Sequence, residues 1–212
     1  MNAQDVPSSA VPSVDLAEAY LAEGAALNPG PWVQHSRFVA QGARAIAERH
    51  PALDPERAYV VGCLHDIGRR FGRRGMLHIM DGYRFMIEQS YPGAARICMT
   101  HSFPVEGLLA SAEGWKGSQE EFRSMQSYMA GLQYDDYDRL IQVCDALALP
   151  SGFCLMEKRL VDVVMRYGFN EHTLHRWQAF FVAKETLERA IDCSVYDLLP
   201  GVVRNTFGGG EE

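Results

Sequence analysis

The stretch Gly62–Gly68 (GCLHDIG) constrains the fold of this chain more than any other. It places His65 and Asp66 side by side at the end of the apolar run 58–64. A carboxylate strongly resists leaving water unless it is paired, so this end of a core helix needs a compensating positive charge. Imidazole nitrogen and carboxylate oxygen are both good ligands for divalent first-row metals. The stretch therefore indicates a buried helix whose end could hold a metal ion.

Further histidines and an aspartate lie in other apolar segments. A single histidine on an apolar face is more often a packed core residue than a ligand, and a His–Asp pair can occur by chance. Here His35, His78, His101 and Asp145 all come from separate segments, and no lysine or arginine lies in the same apolar stripes. His35 is followed by apolar residues at helical spacing, which predicts that its side chain faces inward. Several such residues together favour a metal centre.

Apolar residues recur at helical spacing through most of the chain, and no stretch shows a convincing series of strands. The sequence therefore predicts an all-α fold. Helices are predicted from about 15, over 32–50, from 54 to an end at Gly68, from 78 to before Pro92, and over 94–100, 119–132, 137–149, 156–167 and 172–191. Residues 105–120 contain three glycines and no clear period, which predicts an irregular insertion.

The predicted domain organisation follows from these segments. We expect a flexible N-terminus over residues 1–14 and a flexible tail over 205–212. Residues 15–204 are expected to form a single domain, with the ligand-bearing core at about 31–150 and C-terminal helices over 151–204.

Composition excludes some classes of partner. The formal net charge of −7 argues against a protein that binds a nucleic-acid polymer, since such proteins normally carry a basic face. The five cysteines form no CxxC pair, which favours reduced, mostly buried thiols. No run of apolar residues is long enough to cross a membrane, and the N-terminus lacks the pattern of a signal peptide. We therefore expect no membrane partner and a cytoplasmic location; the oligomeric state is left open.

The order His35, His65-Asp66, Asp145 resembles the HD-domain superfamily of metal-dependent phosphohydrolases. Members carry a His, an adjacent His-Asp pair and a distant Asp on different helices of an all-α core. The resemblance covers about residues 31–150 and implies an HD-domain helical bundle with extra C-terminal helices. It also implies a metal-dependent phosphohydrolase that cleaves a nucleotide or another small phosphoester.

His78 and His101 add a resemblance to a subset of the superfamily that binds two metals. That likeness implies that His35, His65 and Asp145 hold one ion, and that His78 and His101 hold the second, with Asp66 bridging. The branch that includes dinucleoside-tetraphosphate hydrolases is the most similar. Mixed nitrogen and oxygen ligands admit iron, manganese, zinc, cobalt or nickel.

The expected chemistry is attack of a metal-activated water on phosphorus, because a divalent ion lowers the pKa of a bound water. Asp66 and Arg69 are the predicted catalytic residues. Arg69, Arg70 and, less strongly, Arg37 are predicted to bind the small anionic substrate, because guanidinium groups grip phosphate oxygens in pairs. The arginines after Asp66 could equally form a solvated basic loop.

Two other functions use the same ligands. Some relatives, such as inositol oxygenase, hold a mixed-valent di-iron pair and oxidise an organic substrate with dioxygen. A non-catalytic HD module would bind a nucleotide without turning it over. The complete ligand set disfavours the non-catalytic module, but the ligands alone do not separate hydrolase from oxygenase.

Overall fold

Eleven α-helices form most of the chain over residues 8–106 and 115–208, the residues that this computed structural model describes. The helices of the first half are α1 (Val14–Leu27), α2 (Trp32–Ala47), α3 (Pro55–Leu64), α4 (Leu77–Glu88) and α5 (Pro92–Thr100). Those of the second half are α6 (Gln119–Ala130), α7 (Asp136–Asp145), α8 (Met156–Tyr167), α9 (Thr173–Ile191), α10 (Val195–Leu198) and α11 (Val202–Phe207). The prediction of an all-α fold is confirmed.

Side-chain caps explain where several helices begin. The Asp54 carboxylate accepts a hydrogen bond from the backbone N–H of Arg57 at 2.6 Å, and Pro55 occupies the first position of α3. Ser118 and Glu121 form a reciprocal capping box at the start of α6. The start of α3 was visible in the sequence because Asp54, Pro55 and the following apolar residues lie together.

The end of α3 differs from the prediction. The helix ends at Leu64, not at Gly68, and a short 3-10 helix follows over Ile67–Phe71. Arg69 and Arg70, which were predicted to lie in a loop, belong to this 3-10 helix. The reason is the contact of Gly68 with α4: a Cβ atom at Gly68 would lie 1.9 Å from the His78 carbonyl oxygen.

The end of α7 also differs from the prediction. The predicted helix 137–149 ends at Asp145, and Leu149 belongs to the strand β1 (Ala148–Leu149). β1 pairs antiparallel with β2 (Gly152–Phe153), and Ala148 lies opposite Phe153. Leu149 precedes Pro150, and a residue before proline is driven toward extended backbone.

The core is built around the packing of α2 on α3. A Cβ atom at Gly62 would lie 2.8 Å from the Ala40 Cα, so these two helices touch backbone to backbone. The main buried cluster joins α2 and α3 to α7 and α9, and a second one joins them to α1, α4 and α5. The close approach brings the His35 and His65 rings to a centroid distance of 5.3 Å.

The predicted domain organisation stays a prediction. The structure shows contacts of residues near both ends of the described chain. Residues 1–7, 107–114 and 209–212, which include parts of the predicted N-terminus, insertion and tail, lie outside the described residues. The Ala10 carbonyl accepts a hydrogen bond from Gly93 N–H at 2.9 Å. At the other end, the Thr206 hydroxyl accepts one from Leu155 N–H at 2.9 Å, and α11 continues three residues past position 204.

Two smaller expectations concern thiols and membranes. All five cysteines lie in described segments as free thiols, and four of them are buried. Across residues 8–106 and 115–208, no helix has both the length and the apolar character needed to cross a bilayer.

Candidate metal centre

The six residues predicted as metal ligands come together in the structure. His35 lies in α2, His78 in α4 and Asp145 at the last position of α7. His65 and Asp66 directly follow α3, and His101 directly follows α5. Two close packings create the cluster: Gly62 lets α2 reach α3, and Gly68 lets the segment after Asp66 reach α4.

The ligand atoms form two overlapping groups of three. His35, His65 and Asp145 each offer an atom within 4.8 Å of the others, and so do His65, Asp66 and His101. The first group is the set that the resemblance implied for one ion. The second group differs from the implied set of His78, His101 and Asp66, because it contains His65 in place of His78. Such spacing suits a divalent ion in either group, but the single free lone pair of His65 can bind only one ion.

Asp66 lies between the histidines. Its Oδ1 is 3.1 Å from His78 Nε2 and 3.6 Å from His101 Nε2, whereas its Oδ2 is 3.8 Å from His65 Nε2. The two carboxylate oxygens therefore face different histidines. This is the arrangement that a carboxylate needs in order to bridge two ions.

Backbone carbonyls fix the orientation of three imidazoles. The Nδ1 atoms of His65, His78 and His101 lie 2.7, 2.6 and 2.9 Å from the carbonyl oxygens of Gly62, Gly75 and Cys98. A carbonyl oxygen only accepts, so each Nδ1 must carry the proton. A neutral ring then presents its Nε2 lone pair to Asp66. Metal-binding histidines are commonly held in this way.

Unpartnered buried atoms test whether a cation fits. His65 Nε2 and Asp66 Oδ1 are buried and have no hydrogen-bond partner among the described residues. The lone pairs of neutral imidazoles repel the ionised carboxylate that they face. Burying such groups without hydrogen-bond partners also costs folding free energy. A divalent cation would remove both problems. The residues present therefore fit a metal centre.

The protonation states also suit metal binding, which requires neutral imidazole and ionised carboxylate. Burial lowers the pKa of His65 and lowers that of His101 to about 3. Burial alone would raise the pKa of Asp66, but the Arg69 guanidinium holds it well below its usual range. Burial opposes ionisation of Asp145 too, yet His35 and Arg159 lower its pKa.

The arginines predicted to bind substrate occupy different surroundings. Arg69 donates a hydrogen bond from Nε to Asp66 Oδ2, so the expectation that no arginine would pair with the buried aspartates was wrong. The helical turn after Asp66 brings the guanidinium back to that carboxylate, three positions earlier in the chain. About a third of the Arg69 side chain is exposed, so it contacts both the cluster and solvent.

Arg70 and Arg37 are not brought to the ligand cluster. The Arg70 guanidinium lies 2.9 Å from a carboxylate oxygen of Glu23 and 4.1 Å from the centre of the Phe85 ring. Arg37 lies 3.4 Å from a carboxylate oxygen of Glu18. Both glutamates belong to α1, so these contacts direct the two side chains toward α1.

Comparison with protein families gives the decisive observation: the family model of the HD domain matches residues 32–149, more than half of the chain. This chain belongs to the HD domain family. The matched segment contains all six clustered residues and ends just after α7. A search of curated proteins and a search of solved structures each found no match. The family membership and the two ligand groups together support divalent-metal binding by this HD domain.

One residue beside the HD ligands was undervalued in the sequence. Arg159 of α8 lies 3.5 Å from Asp145 Oδ1, although its position suggested a surface residue. The sequence signal for Arg159 is weak. It lies at helical spacing from the buried Met156 and next to the buried Leu160, whereas Glu157 and Lys158 are exposed.

Proposed function

We propose that this HD domain is a metal-dependent phosphohydrolase that cleaves a nucleotide or another small phosphoester. The observation that carries the proposal is the pair of ligand groups that share His65, together with the three imidazoles that backbone carbonyls already turn toward Asp66. Family membership supports it, since the HD signature residues all lie in that cluster.

Each residue has a role in this proposal. His35, His65 and Asp145 would hold one ion, and His78 and His101 a second, with Asp66 between them. Divalent ions at such a site supply a water of lowered pKa and positive charge beside a phosphoryl group. Asp66 fixes the position of the attacking water relative to the cluster. Arg69, held by its Nε hydrogen bond to Asp66, keeps its terminal nitrogens for phosphoryl oxygens.

The first experiment measures metal in the purified protein, followed by a phosphoester panel with added manganese under anaerobic conditions. Release of phosphate or of a nucleoside phosphate is expected. Substrate-dependent oxygen uptake with an iron spin signal would contradict the hydrolase proposal and indicate the oxygenase. Tight nucleotide binding without turnover would indicate the non-catalytic module.

Variants of the central pair connect the metal to the activity. His65→Ala and Asp66→Ala should each lower metal content and reduce turnover at least 100-fold, because each removes a ligand from the centre of the cluster. His175→Ala, which changes an exposed histidine of α9, should retain both. Full metal occupancy in both central variants would show that these residues are not ligands.

A further inference from the structure

The Arg159 guanidinium is buried next to the metal cluster but makes no side-chain hydrogen bond to any residue in 8–106 or 115–208. Its NH2 is 3.5 Å from Asp145 Oδ1 and its NH1 is 3.7 Å from Asp162 Oδ2. Both separations exceed the usual N–H···O range of about 2.7–3.2 Å. Nε is buried and also lacks a partner, although only 15% of the side chain is exposed. The Nε donor is thus buried without an acceptor, and both terminal nitrogens lie beyond hydrogen-bond distance of the nearest carboxylates.

Hydrogen bonds to its acidic neighbours do not account for this position. Asp145 already has His35 Nε2 at 3.0 Å, and Asp162 has the Arg166 guanidinium at 2.8 Å. A guanidinium that served only these carboxylates would be expected to close to hydrogen-bond distance. The unused donors point instead to an acceptor that arrives from outside the chain.

Arg159 and Arg69 flank the cluster. Arg69 contacts Asp66, at the centre, whereas Arg159 contacts Asp145, at the α7 end. Arg159 lies beyond residue 149, where the match to the HD domain ends.

We infer that Arg159 binds the phosphoryl group of the substrate together with Arg69, and that the substrate is a phosphomonoester. This inference rests on the proposed phosphohydrolase function. A terminal phosphoryl group carries three acceptor oxygens and close to two negative charges, so oxygens remain for guanidinium groups when others face cations. A diester has one fewer such oxygen and a single charge. Two guanidiniums around one cluster therefore match the monoester.

The test measures binding of inorganic phosphate and of methyl phosphate to the metal-loaded protein by calorimetry, so that turnover is not the readout. Arg159→Met should weaken phosphate binding roughly 10- to 100-fold, as loss of a charged hydrogen-bonding partner does. Arg159→Lys keeps the charge but not the paired donors, and should weaken it roughly 3- to 10-fold. Metal content is measured in each variant.

Arg166→Met is the matched control, because Arg166 lies on the same helix, contacts the same Asp162 and is about half exposed. It should bind phosphate within about twofold of wild type. The monoester assignment has its own comparison: wild type should bind methyl phosphate at least tenfold more tightly than dimethyl phosphate, and Arg159→Met should remove most of that difference.

Several results would overturn the inference. The first is a phosphate affinity that stays unchanged in Arg159→Met with its metal bound. If the Met variant loses its metal or fails to fold, an unchanged affinity in Arg159→Lys has the same meaning. Absence of phosphate binding by wild type up to about 10 mM, or equal affinity for the monoester and the diester, would do the same. If wild type binds phosphate through Arg159 but hydrolyses no phosphoester, the proposed function fails while this anion site stands.

Discussion

Gly68 shows how one missing side chain can position a ligand. A Cβ atom there would lie 1.9 Å from the His78 carbonyl oxygen and 2.4 Å from the Gly82 nitrogen. Both are backbone atoms of α4, so they cannot rotate away. The close approach holds His78 Nε2 at 3.1 Å from Asp66 Oδ1.

Gly68→Ala should therefore separate the 3-10 helix from α4. We expect a loss of about 3 kcal/mol in the free energy of unfolding, since the clash requires a backbone shift. Metal content should fall as well, because His78 moves away from Asp66. Urea denaturation of the metal-free protein and metal analysis measure the two effects separately.

Gly131→Ala is the control for this substitution. A Cβ atom at Gly131 would have only ordinary contacts, at 3.8 Å or more, so stability should change by less than about 0.5 kcal/mol. Equal stability of Gly68→Ala and wild type would show that α4 does not depend on this contact.

At the residue scale, the sequence predicted which side chains face inward more accurately than it predicted which residues they contact. The spacing of His35 from Val39, Ala43 and Ile46 placed its imidazole in the core, and the structure has it buried. The ion pair of Arg69 with Asp66 and the approach of Arg159 to Asp145 were not predicted. Periodicity gives the face of a helix, but the rotamer of a long side chain depends on neighbours from other segments.

Helices α5 and α7 carry ligands of different groups and are joined by buried polar contacts. Gln142 of α7 donates from Nε2 to the carbonyl oxygens of Thr100 and Phe103, at 3.1 and 3.0 Å. Asp138 accepts from the Thr100 hydroxyl at 2.7 Å and pairs with Arg96. The acceptors of Gln142 flank His101, and Gln142 and Asp138 lie within about two turns before Asp145. These contacts fix the two helices that deliver those ligands.

Gln142→Leu should loosen this connection without altering a ligand. The variant loses two buried hydrogen bonds, although each carbonyl keeps another donor, so we expect a loss of about 2 kcal/mol in unfolding free energy. Metal affinity should also fall severalfold, because His101 and Asp145 lose their common support. Urea titration and metal competition with a fluorescent chelator measure these changes.

Gln126→Leu, at an exposed position of α6, is the comparison for Gln142→Leu and should change neither quantity appreciably. A Gln142→Leu protein with wild-type stability and metal affinity would mean that α5 and α7 are held by apolar packing alone.

At the scale of elements, helix starts were predicted more accurately than helix ends. The start of α6 at Gln119 and both bounds of α8 agree with the sequence prediction. The ends of α3 and α7 were placed too late, and the 3-10 helix was missed. A helix start is marked by capping residues that lie next to it in the sequence. The end of α3 depends instead on contact with α4, and the end of α7 depends on the pairing of β1 with β2. Neither interaction can be read from the residues at the helix end alone.

At the scale of the whole molecule, the order of the ligands along the chain allowed the fold family to be predicted. The sequence could not show which arginines reach the cluster, because Arg159 comes from a helix after the family segment. Nor does the pattern give the number of ions, since the structure has His65 in both ligand groups.

The spread of ligands from residue 35 to residue 145 makes a prediction about the stability of the whole protein. The cluster exists only when α2, α3, α4, α5 and α7 are packed together, so metal that binds it should bind the folded state and stabilise the entire domain. At a free metal concentration 100 times Kd this stabilisation is about 2.7 kcal/mol, or roughly 5–10 °C in Tm for a chain of this size. A chelator should lower Tm by that amount, and added metal should restore it. His101→Ala, which lacks a ligand but keeps the surrounding helices, should show a much smaller shift. If verified removal of metal from wild type leaves Tm unchanged, the ions do not join these helices and the buried cluster must be stable without them.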